Sequence, residues 1–330
     1  MKFAIILGIC LLVIVLLVAN FTRLVGGISK QHATTNLEAY LKIKYQDEVR
    51  YKWLKRFFNS GNMDPNMFTV LFYNTDTPEI EFYCHINLKT ILEDNAITSG
   101  DTEQNTINAR YLAATKRYDT RQAIKRLFKT ECPTITFNTN TIDLSLEANL
   151  EPDALQELIK RFIVRLNYFY EDLGIYSDIA IVIKTPEHPD GFLEVPLEVF
   201  DSEWHSGSFM LSEKASGLKT VETSILKKVN QYLRQSQPNF KIYNAQKIFL
   251  DKTTFSRAAW VHYLSDTTIV NGGNTKWQNP LKGVYVTYFD FETHHIYKGD
   301  LLTSNYDTLS YDETLVQVKG ALQTEGVLAW

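Results

Sequence analysis

The chain has 330 residues, of which 45% are apolar and 22% charged, and it carries a net charge of −4. That is the usage of a packed body of one or two domains, and it excludes a disordered, collagen-like or low-complexity chain. It also argues against nucleic-acid binding, which leans on Lys and Arg to neutralise phosphates. The basic runs Lys52, Lys55, Arg56 and Arg110, Lys116, Arg117, Arg121, Lys125, Arg126 are balanced by acidic residues elsewhere and read as solvated helix faces. Aromatic residues make up 13%, with 18 Tyr and 19 Phe. Such side chains suit half-buried strands, so substantial sheet is expected.

Residues 3–19 read FAIILGICLLVIVLLVA, without a charge. Extended to Phe21, the run reaches roughly 19 residues, enough to cross a ~30 Å hydrocarbon core as a helix. A single-pass membrane anchor over residues 3–21 is the expectation, because the run exceeds the roughly 7–15 residues of a signal-peptide core. The alternative is a cleaved signal peptide, with Val25-Gly26-Gly27 as the small-residue site and a secreted product. Lys2 on one flank and Arg23 and Lys30 on the other nearly tie the charge rule for orientation. A short tail before a long domain favours a body outside the cytoplasm. Cys10 falls inside the apolar run, while Cys84 and Cys132 would be able to pair in an oxidising compartment.

Apolar positions Leu37, Tyr40, Leu41, Tyr45, Val49, Trp53, Leu54 and Phe57 follow helical spacing, and Asn59-Ser60-Gly61-Asn62 stops that helix. Strands are expected over 68–73 and 80–88, across a turn at 74–78. The polar stretch 94–106 reads as a loop, followed by a short helix over 123–128 and a hairpin of 134–138 with 141–146. The cleanest amphipathic helix covers 155–173, with Pro152 in its first turn and Gly174 as its stop. Strands 179–184 and 192–200 come next, so helix, stop, strand, turn, strand occurs twice and suggests an internal repeat. Residues 200–217 look irregular and mark the expected domain boundary. A helix from Leu218 to Leu233 closes at Pro238, before strands at 240–250, 257–264, 284–291 and 296–302 and a last helix near 313–322.

The fold class expected is therefore α+β: an N-terminal transmembrane helix followed by helices packed on curled antiparallel sheets. Residues 1–30 form the anchor and short linker, 31–200 an α+β body and 201–330 a C-terminal α+β domain. The element order resembles that of cystatin-like and NTF2-like folds, and some inner-membrane subunits of conjugative secretion machines have a similar plan. Folds of this kind host enzymes, binding modules and structural subunits alike, so the resemblance implies an architecture and no activity.

The Rossmann glycines, the P-loop, HExxH, CxxC pairs, the EF-hand loop and GxSxG are all absent. Gly272-Gly273-Asn274-Thr275-Lys276 lacks phosphate-loop spacing and reads as a surface loop. Asp290, Glu292 and His294 would share one face of a strand, with Phe289, Phe291, His295 and Tyr297 on the other. Such a trio is what the wet face of a sheet produces without any metal. His205, Ser206 and Ser208, with Asp201 and Glu203 nearby, are the residue types of a hydrolase triad, but adjacency in sequence does not supply its geometry. Trp53, Trp204, Trp260 and Trp277 are read first as packing anchors. No catalytic, cofactor-binding or metal-binding residue is assigned and no cofactor is expected. The function expected is a membrane-anchored, extracytoplasmic, non-enzymatic binding or structural module of an envelope assembly, with a protein partner and no nucleic acid. The alternative is a membrane-tethered hydrolase whose catalytic residues are dispersed in sequence.

Overall fold

The computed structural model describes residues 26–57, 59–93, 106–173, 179–243, 247–266, 281–302 and 311–327. The anchor expected over 3–21 lies outside them. No helix among the described residues is long and apolar enough to cross a membrane. The described body is α+β, with five α-helices and a three-stranded and an eleven-stranded sheet. It divides into two compact units, Met1–Thr120 and Arg121–Trp330.

In the first unit, α1 (Lys30–Tyr45) starts where the Ser29 side chain accepts from the His32 backbone N–H. Its buried positions Ala33, Leu37, Tyr40, Leu41 and Tyr45 form one stripe. The helix stops there, not near Phe57 as its spacing suggested. Gln46 and Asp47 take left-handed φ values of 49° and 73°, which no helix continues through. The chain re-emerges as strand β1 (Val49–Arg56), which pairs antiparallel with β2 (Met67–Asn74), itself paired with β3 (Glu81–Asn87). The expected β2–β3 turn forms as Asn74 Oδ1 accepts from the backbone N–H groups of Asp76 and Thr77, at 2.9 and 2.7 Å. Leu37 and Leu41 pack with Val70, Phe72, Phe82 and Ile86 on one face of this sheet, joined by Ile107 and Ala114. Those last two belong to α2 (Ile107–Leu127), where only a short helix at 123–128 was expected. Few apolar residues mark its first turns, and Leu112 among them is exposed.

In the second unit, β4 (Thr134–Phe137) and β5 (Thr141–Ser145) form the expected hairpin. Helix α3 (Pro152–Tyr168) carries the chain from β5 to β6 (Ala180–Lys184), and these two strands run parallel, as a helical crossover allows. The sheet is therefore mixed, where antiparallel pairing throughout was expected. Beyond β6 come β7 (Leu193–Phe200), β8 (Glu203–Ser206) and the two-residue β9 (Met210–Leu211). Within residues 200–217, β8 pairs with β7, and β9 bridges β7 and β11, with turns between them; the division into compact units falls at Thr120 and Arg121. Two contacts hold this stretch. Asn167 Nδ2 donates to the Trp204 carbonyl at 2.8 Å while Trp204 N–H donates to Asn167 Oδ1 at 2.6 Å. Gly207 N–H reaches the Pro196 carbonyl at 2.7 Å, so near that a Cβ at 207 would lie 3.0 Å from the same oxygen.

Helix α4 (Leu218–Ser236) then buries Leu218, Val221, Ile225, Val229 and Leu233. Strands β10 (Phe240–Ile242), β11 (Lys247–Leu250), β12 (Arg257–Asp266), β13 (Leu281–Asp290) and β14 (Ile296–Leu302) follow, before α5 (Tyr311–Thr324). The order across the sheet is β14-β13-β12-β11-β9-β7-β6-β5-β4, with β10 beside β12 and β8 beside β7. The main core lies against α3 and α4, from Phe162 and Ile225 to Trp260 and Phe289. A smaller one on the opposite face of β11–β13 gathers Val261, Tyr263, Val284 and Val286 under Val318 and Leu322 of α5. A helix followed by an antiparallel meander occurs three times: α1 with β1–β3, α3 with β6–β8, and α4 with β11–β14.

Candidate binding surface

Both helices that touch the β1–β3 sheet contribute to the core on one face of it. The alternation of a strand puts its other residues on the opposite face. On β1, Trp53 stands opposite Leu71 of β2, and Leu71 stands opposite Tyr83 of β3. The outer strands of such a trio are roughly 9–10 Å apart, yet the Trp53 and Tyr83 ring centroids are separated by 5.7 Å. The two rings lean in over Leu71, which is only 6% exposed, while Trp53 is 41% and Tyr83 57% exposed. The wet face of a half-buried sheet ordinarily carries polar side chains. Here it carries large aromatic surface.

The same face continues in both directions. On one side, Lys52 pairs with Glu81 and lies 5.7 Å from the Tyr73 ring centroid. The hydrogen bond to Glu81 pushes the Lys52 ammonium above its ordinary value, so it is charged throughout the physiological range. On the other side, Phe57 stacks on His85 at 4.2 Å, and His85 Nδ1 shares a 2.8 Å hydrogen bond with Thr69 Oγ1. Arg50 and Lys55 add exposed cations along β1, with Asp47 3.5 Å from Arg50. The surface is an aromatic strip edged with slightly more positive than negative charge. It offers rigid apolar anchors.

No protein-family model and no curated protein matches the chain. Among solved structures, the chain is similar to the Bacillus megaterium YpeB C-terminal domain, at 10% identity over 84% of this chain and 99% of that one. The TM-score is 0.14, too low for the likeness to bear on fold or function.

The residues singled out by the sequence end up apart. Strand β13 stops at Asp290, so the alternation that would align Asp290, Glu292 and His294 is broken by a turn. Asp290 accepts from the Thr293 backbone N–H at 2.6 Å and its hydroxyl at 2.8 Å. Burial pushes the Asp290 carboxyl up, but these hydrogen bonds outweigh it and hold the group below the usual range. His295, expected on the face opposite that trio, is exposed and meets Tyr297 edge-on. Among the described residues no group of three His, Cys, Asp or Glu side chains is placed to hold a metal ion. On β8, His205 and Ser206 are exposed while Ser208 is buried; His205 makes a ring contact with Phe200 and, among the described residues, no hydrogen bond to either serine. Among the described residues Trp204 and Trp260 are buried anchors, whereas Trp53 is exposed. Trp277 and Gly272 to Lys276 lie outside the described residues. Tyr83, His85 and Phe57 were missed because residues 49–57 were assigned to a helix. The polar–aromatic alternation of Arg50-Tyr51-Lys52-Trp53 was the signal that could have found the strand.

Proposed function

We propose that this chain is a non-enzymatic module of an envelope assembly, tethered in a membrane by one helix over residues 3–21, with its body outside the cytoplasm. It binds a protein partner through the open face of β1–β3. The observation that carries this reading is the pair of exposed rings, Trp53 and Tyr83, closed over Leu71. Trp and Tyr are the side chains that most often dominate binding energy at protein interfaces, because each supplies large rigid area at low entropic cost. Arg50, Lys52 and Lys55 beside them favour a partner surface that is acidic around an apolar centre. On this reading the helix-on-sheet order, similar to that of cystatin-like and NTF2-like folds, is the scaffold that holds the face rigid.

Two measurements test it. Carbonate washing of membranes should leave the full-length chain in the pellet; release into the wash would remove the tether. Affinity capture from detergent-solubilised membranes should retrieve a discrete protein with the parent chain. The Trp53→Ala/Tyr83→Ala variant should lose it by at least about tenfold at an unchanged melting temperature. Equal capture by both chains would place the contact elsewhere.

A further inference from the structure

A cavity, unlike the open β1–β3 face, lies wholly within the Arg121–Trp330 unit. It has a volume of about 360 Å³, and its lining includes Thr185, Leu155 of α3, Ser216 and His294. Small-molecule sites occupy roughly 300–1,000 Å³ and combine an apolar lining with a few placed polar groups. Here Phe192, Phe255 and Phe291 line the cavity together with His188. The His188 ring stacks on Phe192 at 4.8 Å and lies 5.8 Å from Phe291, and Phe255 meets Phe192 edge-on at 6.2 Å. Phe255 and His294 both hold left-handed backbone, with φ of 55° and 59°. A residue with a Cβ adopts it uncommonly, so the surroundings hold the backbone in place at both positions.

The charge at the cavity is one-sided. Glu187 and Glu292 line it, and among the described residues no Lys or Arg does. His188 Nδ1 accepts from the Ser216 backbone N–H at 3.0 Å, so that nitrogen carries no proton. Burial keeps the ring below its ordinary pKa against the pull of Glu187, and it enters the balance as a neutral group. The N-terminal end of α4 contributes at most about half a positive charge beside Ser216. Asp153 in the first turn of α3 offsets the dipole of that helix. Two full carboxylates outweigh what remains.

We propose that this cavity binds a small organic cation, an ammonium group on an apolar or aromatic body. The body packs against the three phenylalanines, whose faces attract positive charge, and the ammonium sits at Glu187 and Glu292. The site is independent of the β1–β3 face, and its test leaves that reading untouched.

Isothermal titration of the full-length chain in neutral detergent with phenethylammonium, 2-phenylethanol and phenylacetate separates shape from charge. Phenethylammonium should bind with one-to-one stoichiometry, at least about tenfold more tightly than the alcohol, and phenylacetate more weakly than both. Glu187→Gln/Glu292→Gln, two changes at exposed positions, should bring the ammonium down to the affinity of the alcohol and leave the alcohol and the melting temperature unchanged. Phe192→Ala should weaken all binding, which locates the site. Equal affinity for anion and cation overturns the proposal, as does saturable binding by none of the three. Undiminished ammonium binding by the double glutamine variant overturns it too.

Discussion

His262 is fully buried on β12 with its ring 4.6 Å from that of Trp260, and neither ring nitrogen makes a hydrogen bond of good geometry among the described residues. Burial disfavours the imidazolium and takes the pKa from 6.5 down to about 4, with the backbone at Trp260 and Tyr285 pulling weakly the other way. The folded state therefore holds a neutral ring where the unfolded chain, below about pH 6.5, would take up a proton. Its contribution to stability is fully present above about pH 6.5 and is lost as the pH falls towards 4. At about 1.4 kcal/mol per pH unit the loss approaches roughly 3 kcal/mol. Urea midpoints measured at pH 7, 5.5 and 4.5 should fall across that window in the parent and much less in His262→Leu. Equal acid sensitivity in both would put the titrating group elsewhere.

Helix α3 is the element whose orientation is most legible in the sequence. Its sequence stripe is Leu155, Leu158, Ile159, Phe162, Ile163, Leu166, Phe169, Tyr170 and Leu173; the first six are buried on the helix, which ends at Tyr168 and leaves the last three beyond it. Phe162 has no exposed surface and meets Phe128 edge-on at 5.1 Å, while Arg161 is half exposed and reaches Glu131 at 3.0 Å. Phe162→Ala should cost about 3–5 kcal/mol through lost transfer energy and an unfilled cavity. Arg161→Ala should cost under about 1 kcal/mol, as expected of an exposed ion pair. Urea unfolding of each variant measures the difference, and equal midpoints would mean the helix faces the other way. The same periodic reasoning misplaced Val49, Trp53, Leu54 and Phe57. Their spacing fits a helix as well as a bulged strand, and β1 does carry a register shift between Tyr51 and Trp53. What arbitrates is the left-handed backbone at Gln46 and Asp47, and neither residue announces it as a glycine would. The binding face was illegible for a related reason. Trp53 is visible in the sequence, but its partner Tyr83 is brought beside it only through the register of β2. Strands were expected at 141–146 and 179–184, but their parallel pairing as β5 and β6 comes from α3 crossing between them.

At the scale of the whole molecule, the two cysteines among the described residues follow the division into units. Cys84 packs in the core of the first and Cys132 in that of the second, both free and both buried. Burial pushes each thiol up to about 12, so neither is a thiolate at neutral pH. A thiol reagent should label neither in the native chain and both once guanidinium unfolds it without reductant. Failure to label after unfolding would reveal a disulfide. The larger sheet has its own division, at β9. That strand is two residues long, and it joins β7 to β11 through the register pairs Leu193–Leu211, Glu194–Met210 and Phe249–Met210. Between eight-residue β7 and ten-residue β12, the hydrogen-bonded ladder narrows to almost nothing. What spans the gap is two flanking backbone bonds, Ser212 N–H to the Phe192 carbonyl at 2.8 Å and Leu250 N–H to the Phe209 carbonyl at 2.9 Å, and packing, including the Phe209 and Phe255 rings stacked at 6.0 Å. Side-chain packing is non-directional and yields at short extension, whereas a long ladder shares strain over many bonds in parallel. Tension applied across the sheet would therefore concentrate at β9, and the unit would part there into two halves before either half lost its strands.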